Sequence, residues 1–133
     1  MAEATVLFVC LHGAAKSVIA ATHFRRLAAA RRLGARAAFA GTEPDPELAP
    51  RVVRELTAEG VDLTGLRPRR VTAEDVAAAS RVVTFGCDLG DLAPTAPVDR
   101  WDDVPAVSEG YEPARAAIDA RVARLVDELA RAR

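Results

Sequence analysis

The sequence predicts an α/β fold: a single domain over residues 1–133, with an open four-stranded parallel sheet and helices on both faces. Three observations predict it. Apolar, strand-like runs alternate along the chain with helical segments. Those runs are apolar at consecutive rather than alternate positions, which marks strands covered on both faces. A length of 133 residues also suits one compact core.

The elements follow in order. Residues 5–9 (TVLFV) are short, β-branched and wholly apolar, and predict the first strand. Residues 17–32 are rich in alanine and predict a helix, with Ser17 available as its N-cap and Gly34 just past its end. Residues 36–40 are the second strand, closed by Gly41. Glu43, Pro44, Asp45 and Pro46 are turn chemistry, and Pro46 or Glu47 opens a helix that reaches Glu59 before Gly60 stops it. Thr72 is placed to cap a brief helix whose first turn carries Glu74 and Asp75, leading into the third strand at 81–85 (RVVTF). Residues 98–101 are a fourth, shorter strand. From Pro113 onward Ile118, Val122, Leu125 and Leu129 recur at spacings of four, three and four, the pattern of an amphipathic helix. The long irregular stretch 86–112 follows a strand's carboxyl end, where functional loops gather.

Composition narrows the function. Half of the residues are hydrophobic and 28% charged, a balance usual for globular proteins. A net charge of −1 and a pI near 6.1 argue against a general nucleic-acid or membrane-surface binder. No apolar run approaches the ~18 residues of a membrane span. The N-terminus lacks the charged and apolar regions of a signal peptide, so a cytoplasmic protein is expected. Two cysteines (Cys10, Cys87) and two histidines (His12, His23) fit no zinc spacing, so neither a metal nor a cofactor is expected. The thiols are either core filler or chemistry.

Cys10 stands where the first strand ends, facing the crevice in which open parallel sheets bind ligands. Leu11, His12, Gly13, Ala14 and Ala15 are mostly small, which lets backbone N–H groups curl inward. The helix beginning near Ser17 adds its positive dipole end, so the loop suits a phosphate-like anion. The same field, with the Lys16 charge, favours a thiolate at Cys10. A thiolate beside a bound tetrahedral oxyanion is poised to attack its centre. The loop is not a Walker loop, since the Gly-Lys-[Ser/Thr] ending is missing.

The run Val9, Cys10, five residues, Lys16, Ser17 resembles the C-x5-R-S signature of the low-molecular-weight protein tyrosine phosphatase superfamily. Residues 10–17 (CLHGAAKS) are similar to the C-x-H-N-x-x-R-S form of its thiol-linked arsenate reductases. Segments 40–44 (AGTEP), 60–63 (GVDL) and 82–87 (VVTFGC) resemble arsenate-reductase segments in order and spacing, so the resemblance runs from Val6 to Leu129. It implies the low-molecular-weight phosphatase type of sheet. It also implies a cysteine-dependent oxyanion enzyme in which the Cys10 thiolate attacks arsenate or phosphate held by the loop amides and Lys16, while Ser17 aids the thiolate. Two alternatives stand beside an arsenate-reductase-like role: hydrolysis of phosphotyrosine or small phosphomonoesters, and a degenerate module that binds an oxyanion or partner without turnover. The implied partners are an oxyanion or phosphorylated substrate and a thiol reductant, with no nucleic acid and no membrane.

Three positions depart from the family pattern. Lys16 replaces an arginine, exchanging a planar two-pronged donor for a point charge. The loss of one strong hydrogen bond would cost ~1.5–3 kcal/mol, roughly 10–100-fold in rate. Gly13 replaces an asparagine that braces the loop. The family's late Asp-Pro, whose aspartate is the general acid, corresponds to residues 101–105 (WDDVP), where the proline-aligned position is Val104. Asp103, one residue away, is the candidate acid and Asp102 its understudy; both also suit a solvated turn.

In the thioredoxin-linked reductases a cysteine at the place of Cys87 attacks the first, and a third closes a disulfide. No third cysteine follows here, so a three-thiol relay is excluded, whereas a Cys10–Cys87 disulfide or an external thiol stays open. A bystander thiol is the plain reading of Cys87. His12 either serves the anion or points outward, and His23 is structural. Arg67, Arg69 and Arg70 read as a solvated face rather than a phosphate site, and Trp101 as a core anchor; Trp101 and Tyr111 are the aromatics able to wall a pocket.

Overall fold

The computed structural model describes residues 4–132. Their elements, in order, are β1 (Ala4–Cys10), α1 (Lys16–Ala30), β2 (Ala35–Gly41), α2 (Pro50–Ala58), α3 (Ala73–Ala78), β3 (Arg81–Thr84), β4 (Val98–Arg100) and α4 (Tyr111–Ala132), with a turn of 3-10 helix at Val107–Glu109 before α4. The strands form one sheet in the order β2-β1-β3-β4, and every pairing is parallel. The register sets Cys10 beside Gly41 and Val9 beside Thr84, so the chain leaves β1 level with the ends of its neighbours.

Alternation along β1 divides the core. Val6, Phe8 and Cys10 pack with α1, α2 and α4 through Val18, Phe24, Leu56, Ile118 and Val122. Leu7 and Val9 pack on the other face with Ala40, Val71, Val76 and Val82. Because both faces are covered, the strand needs apolar residues at consecutive positions, and that is what the sequence displays. Each fully enclosed large side chain here contributes roughly 1.5–3 kcal/mol. An aromatic chain crosses the main core: Phe24 meets Phe8 at 6.0 Å, Phe8 meets Trp101 at 6.0 Å, and Trp101 meets Phe85 edge-on at 5.6 Å. Trp101 is thus a core anchor.

Several boundaries move, each for a physical reason. The first helix starts at Lys16, so Ser17 lies inside it and caps nothing; its hydroxyl has another partner. That helix is closed by Arg32 at φ 53° rather than by Gly34, with the Leu33 N–H returning to the Ala28 carbonyl. The second helix starts at Pro50, not at Pro46 or Glu47, because Asp45 and Ala49 give their N–H groups to the loop after β1. Pro50 then takes the first helical position, where its missing N–H costs nothing. The Thr72 cap forms as read: its side chain accepts from the Asp75 N–H, and the Asp75 carboxylate accepts from the Thr72 N–H. α4 starts two residues before Pro113, at Tyr111. No helix among the described residues is long and apolar enough to cross a membrane.

A polar cluster clamps α1, α2 and α4 at the sheet's flank. Arg115 of α4 grips Glu59 at the end of α2 and Asp119 on its own helix, and Arg26 of α1 also reaches Glu59. His23 sits in this cluster, 3.7 Å from Asp119, as a structural histidine.

Candidate active site

The site is built from the backbone first. At the end of β1 the chain turns through residues 11–15 and enters α1. The Cys10 carbonyl and three carbonyls of this turn point away from the crevice and are tied to the segment after β2. Cys10 O accepts from Thr42 N at 3.3 Å, Leu11 O from Glu43 N at 2.7 Å, His12 O from Asp45 N at 3.1 Å and Ala14 O from Ala49 N at 3.0 Å. Among the described residues, the N–H groups of 11–15 donate to no backbone carbonyl. In a trans peptide the C=O and the following N–H point opposite ways, so holding these carbonyls outward turns the N–H groups of Leu11, His12, Gly13 and Ala15 to the other side. Together with the free first-turn N–H groups of α1 they make a cradle of donors suited to an anion.

Gly13 makes that geometry reachable. Its φ is +59°, and a Cβ built there would lie 2.7 Å from Gly41 N. A Cβ on Gly41 would in turn lie 2.6 Å from Gly13 N. The two glycines allow the loop to lie against the end of β2. The segment 40–44 carried the signal in the sequence, although its bracing hydrogen bonds could not be read there.

Cys10 is 6% exposed, and its Sγ lies 3.0 Å from Oγ of fully buried Ser17. A hydroxyl at that distance can donate to a thiolate, which a buried sulfur needs in place of water. The Lys16 ammonium donates to the Val104 carbonyl at 3.0 Å, joining the loop to residues 101–105. His12 turns outward: its Nδ1 is 3.1 Å from Glu43 O and 3.3 Å from Asp45 Oδ1.

The late aspartates are not placed as expected. Asp103 is 76% exposed and bonds Arg121 of α4, because β4 ends beside that helix and the guanidinium draws the carboxylate outward. The candidate acid is thus paired at the surface with Arg121. Asp102 accepts from Gly86 N at 3.1 Å and pairs with Arg100, so it fastens the end of β3 to the end of β4. Val104, the proline-aligned position, is buried and apolar.

Cys87 is half-buried, and its thiol donates to Val9 O at 3.4 Å. Burial pushes the Cys87 thiol up from its ordinary value, and the neighbouring Cys10 adds to that. Both thiols are free. Cys87 also lines an open cleft of about 360 Å³ with Thr84, Gly86, Leu89 and Arg100, which gives an outside molecule a way to it. Arg69 is paired with Asp75, and Arg70 donates to Thr42 O, so both brace the fold. Tyr111 is buried and bonded to Arg115, and Trp101 lies in the core. Among the described residues no group of three His, Cys, Asp or Glu could hold a metal ion.

Residues 5–100 match the model of a family described as low molecular weight phosphotyrosine protein phosphatase. No curated protein matches the chain in sequence. A thioredoxin-dependent arsenate reductase from Corynebacterium glutamicum is similar in structure, with 26% identity, a TM-score of 0.81 and 98% of this chain covered; this chain spans 64% of that protein. A low molecular weight phosphotyrosine phosphatase from Vibrio cholerae O395 shares 20% identity and a TM-score of 0.82, over 95% of this chain and 96% of its own. The tyrosine phosphatase Wzb from Escherichia coli K30, solved in complex with sulphate, shares 17% identity and a TM-score of 0.74, over 96% and 99%. The structural neighbours therefore include both arsenate reductases and tyrosine phosphatases, and the fold is theirs.

Proposed function

Since this chain belongs to the low molecular weight phosphotyrosine protein phosphatase family, we propose that it is a cysteine-dependent oxyanion enzyme of arsenate-reductase type. One observation carries the reading: a buried Cys10 sulfur, 3.0 Å from a buried serine hydroxyl, at the mouth of a turn whose carbonyls are held outward. Arsenate fits the cradle as a tetrahedral anion, bound by the amides of Leu11, His12, Gly13, Ala14 and Ala15, by the start of α1 and by the Lys16 charge. The Cys10 thiolate attacks arsenic, the Sγ–As bond forms, and one oxygen leaves as water after gaining a proton. Ser17 supports the thiolate.

Release then falls to a second thiol. That thiol attacks Cys10 Sγ, a disulfide forms, and arsenic leaves with the former bonding pair as arsenite. Arsenic is reduced by two electrons and the two thiols are oxidised. Cys87, held at the Val9 carbonyl and open to the cleft, is the internal candidate; a small thiol or a thioredoxin-like protein is the external one. Such chemistry suits the reducing cytoplasm. Asp102 and Asp103 are engaged elsewhere, which favours release by thiol over hydrolysis by a carboxylic acid. Phosphomonoester hydrolysis is the second reading, favoured by the family's own description.

The test is turnover of arsenate with a supplied thiol system, run beside p-nitrophenyl phosphate. Cys10→Ser abolishes both activities. Ser17→Ala slows alkylation of Cys10 at neutral pH by ~10-fold or more, the worth of one hydrogen bond to a charged atom. Arsenate turnover that survives Cys10→Ser would overturn the assignment. No turnover of either substrate, with arsenate still shielding Cys10 from iodoacetamide, would point to the binding module instead.

A further inference from the structure

Displacement at a tetrahedral oxyanion releases an oxygen that leaves poorly unless it is protonated. The proton-bearing groups near the loop can be followed one by one. His12 is turned outward to Glu43 O and Asp45. Asp102 is occupied by Gly86 N–H and Arg100, and Asp103 by Arg121 at the surface. Lys16 differs. It ends the anion loop and begins α1, and its half-buried ammonium is held by the Val104 carbonyl at 3.0 Å. An ammonium has three N–H donors and no acceptor. One donor is spent on Val104, and two remain for a bound anion. Val104 is itself fixed, with its side chain in the main core.

We infer that Lys16 is the proton donor to the leaving oxygen, aimed by the Val104 carbonyl, so that one residue supplies both the charge and the acid of this site. The inference rests on Cys10 as nucleophile. As the Sγ–As or Sγ–P bond forms, the bond to the leaving oxygen breaks and its electron pair stays on that oxygen. The oxygen takes a proton from Lys16 Nζ and departs as water from arsenate, or as an alcohol from an ester. Lys16 is left as a neutral amine and regains its proton from solvent. The lysine at this position is then suited to the site's chemistry rather than a weakened arginine, because a guanidinium keeps its charge but does not give up a proton.

Leaving-group dependence tests this directly. Release is measured from p-nitrophenyl phosphate, whose phenolate needs no proton, and from an alkyl phosphate, whose alkoxide does. Wild-type protein, Lys16→Arg and Lys16→Met are compared, with shielding of Cys10 from iodoacetamide by phosphate as the readout of anion binding. Both variants are expected to lose ~100-fold or more on the alkyl ester relative to p-nitrophenyl phosphate. Lys16→Arg, which keeps the charge and adds a second prong, is expected to shield Cys10 at least as well as the wild type. Equal losses on both esters would overturn the donor role and leave Lys16 as a charge alone. So would Lys16→Arg matching or exceeding the wild type on the alkyl ester. If the wild type cleaves neither ester while phosphate shields Cys10, the donor role fails and the anion site stands. If phosphate gives no shielding, the Cys10 reading itself fails.

Discussion

Replacing Gly13 by alanine is the sharpest test of how the loop is held. The substitution acts in two ways. First, φ of +59° is a left-handed conformation that costs an L-residue about 1–2 kcal/mol. Second, the new Cβ would lie 2.7 Å from Gly41 N and 2.9 Å from Ala40 C. Those are backbone atoms of β2, fixed by pairing with β1, so the loop must move rather than the strand. Moving it strains the four bonds from residues 42–49 to the loop carbonyls; losing one or two adds ~1–2 kcal/mol. The sum is about 3 kcal/mol, or ~10 °C in Tm for a domain of this size. Gly90→Ala is the control, because its φ is +60° but a Cβ there meets nothing within 4 Å. It should cost only the backbone term, about 1–2 kcal/mol. Thermal unfolding of the two variants gives the comparison, and shielding of Cys10 from iodoacetamide by arsenate reports the loop. Equal Tm shifts, or full shielding in Gly13→Ala, would refute the reasoning.

Two further outcomes are expected. Burial raises the Cys87 thiol above its ordinary value, so less of it is thiolate at neutral pH. Peptide mapping after brief iodoacetamide treatment should find Cys10 labelled well before Cys87, and the reverse order would contradict the site's electrostatics. Glu59, held chiefly by its hydrogen bond to Arg115, sits at about 2 instead of its ordinary 4.5. A depressed folded-state value means that the unfolded chain binds more protons, so this stabilisation is present above 4.5 and is lost as pH falls towards 2. The carboxylate is 34% exposed; solvent screening holds the effect to about 1 kcal/mol. Urea unfolding across that acid range should show a shallower loss for Glu59→Gln than for the wild type, and parallel curves would count against the clamp.

Features that depend on neighbours along the chain were legible before any contact was known. Consecutive apolar residues in TVLFV require a strand covered on both faces, and the strand forms at Ala4–Cys10. Thr72 and Asp75 are three residues apart, so their reciprocal cap was legible without any tertiary contact. Cys10 at a strand's end before small residues and a helix was enough to locate the turn between β1 and α1. The tertiary structure alone decided what depends on groups distant in sequence. Asp103 turns outward because Arg121, eighteen residues on, lies beside it once α4 packs. The second helix starts late because residues 45 and 49 serve the loop carbonyls. Lys16 meets a carbonyl eighty-eight residues away, and Gly13 abuts Gly41. Local periodicity and caps report the backbone's own preferences, whereas the direction of a charged side chain is set by whichever partner folding brings within about 3 Å. The place of the site was therefore written in the sequence, and the assignment of its charges waited on the fold.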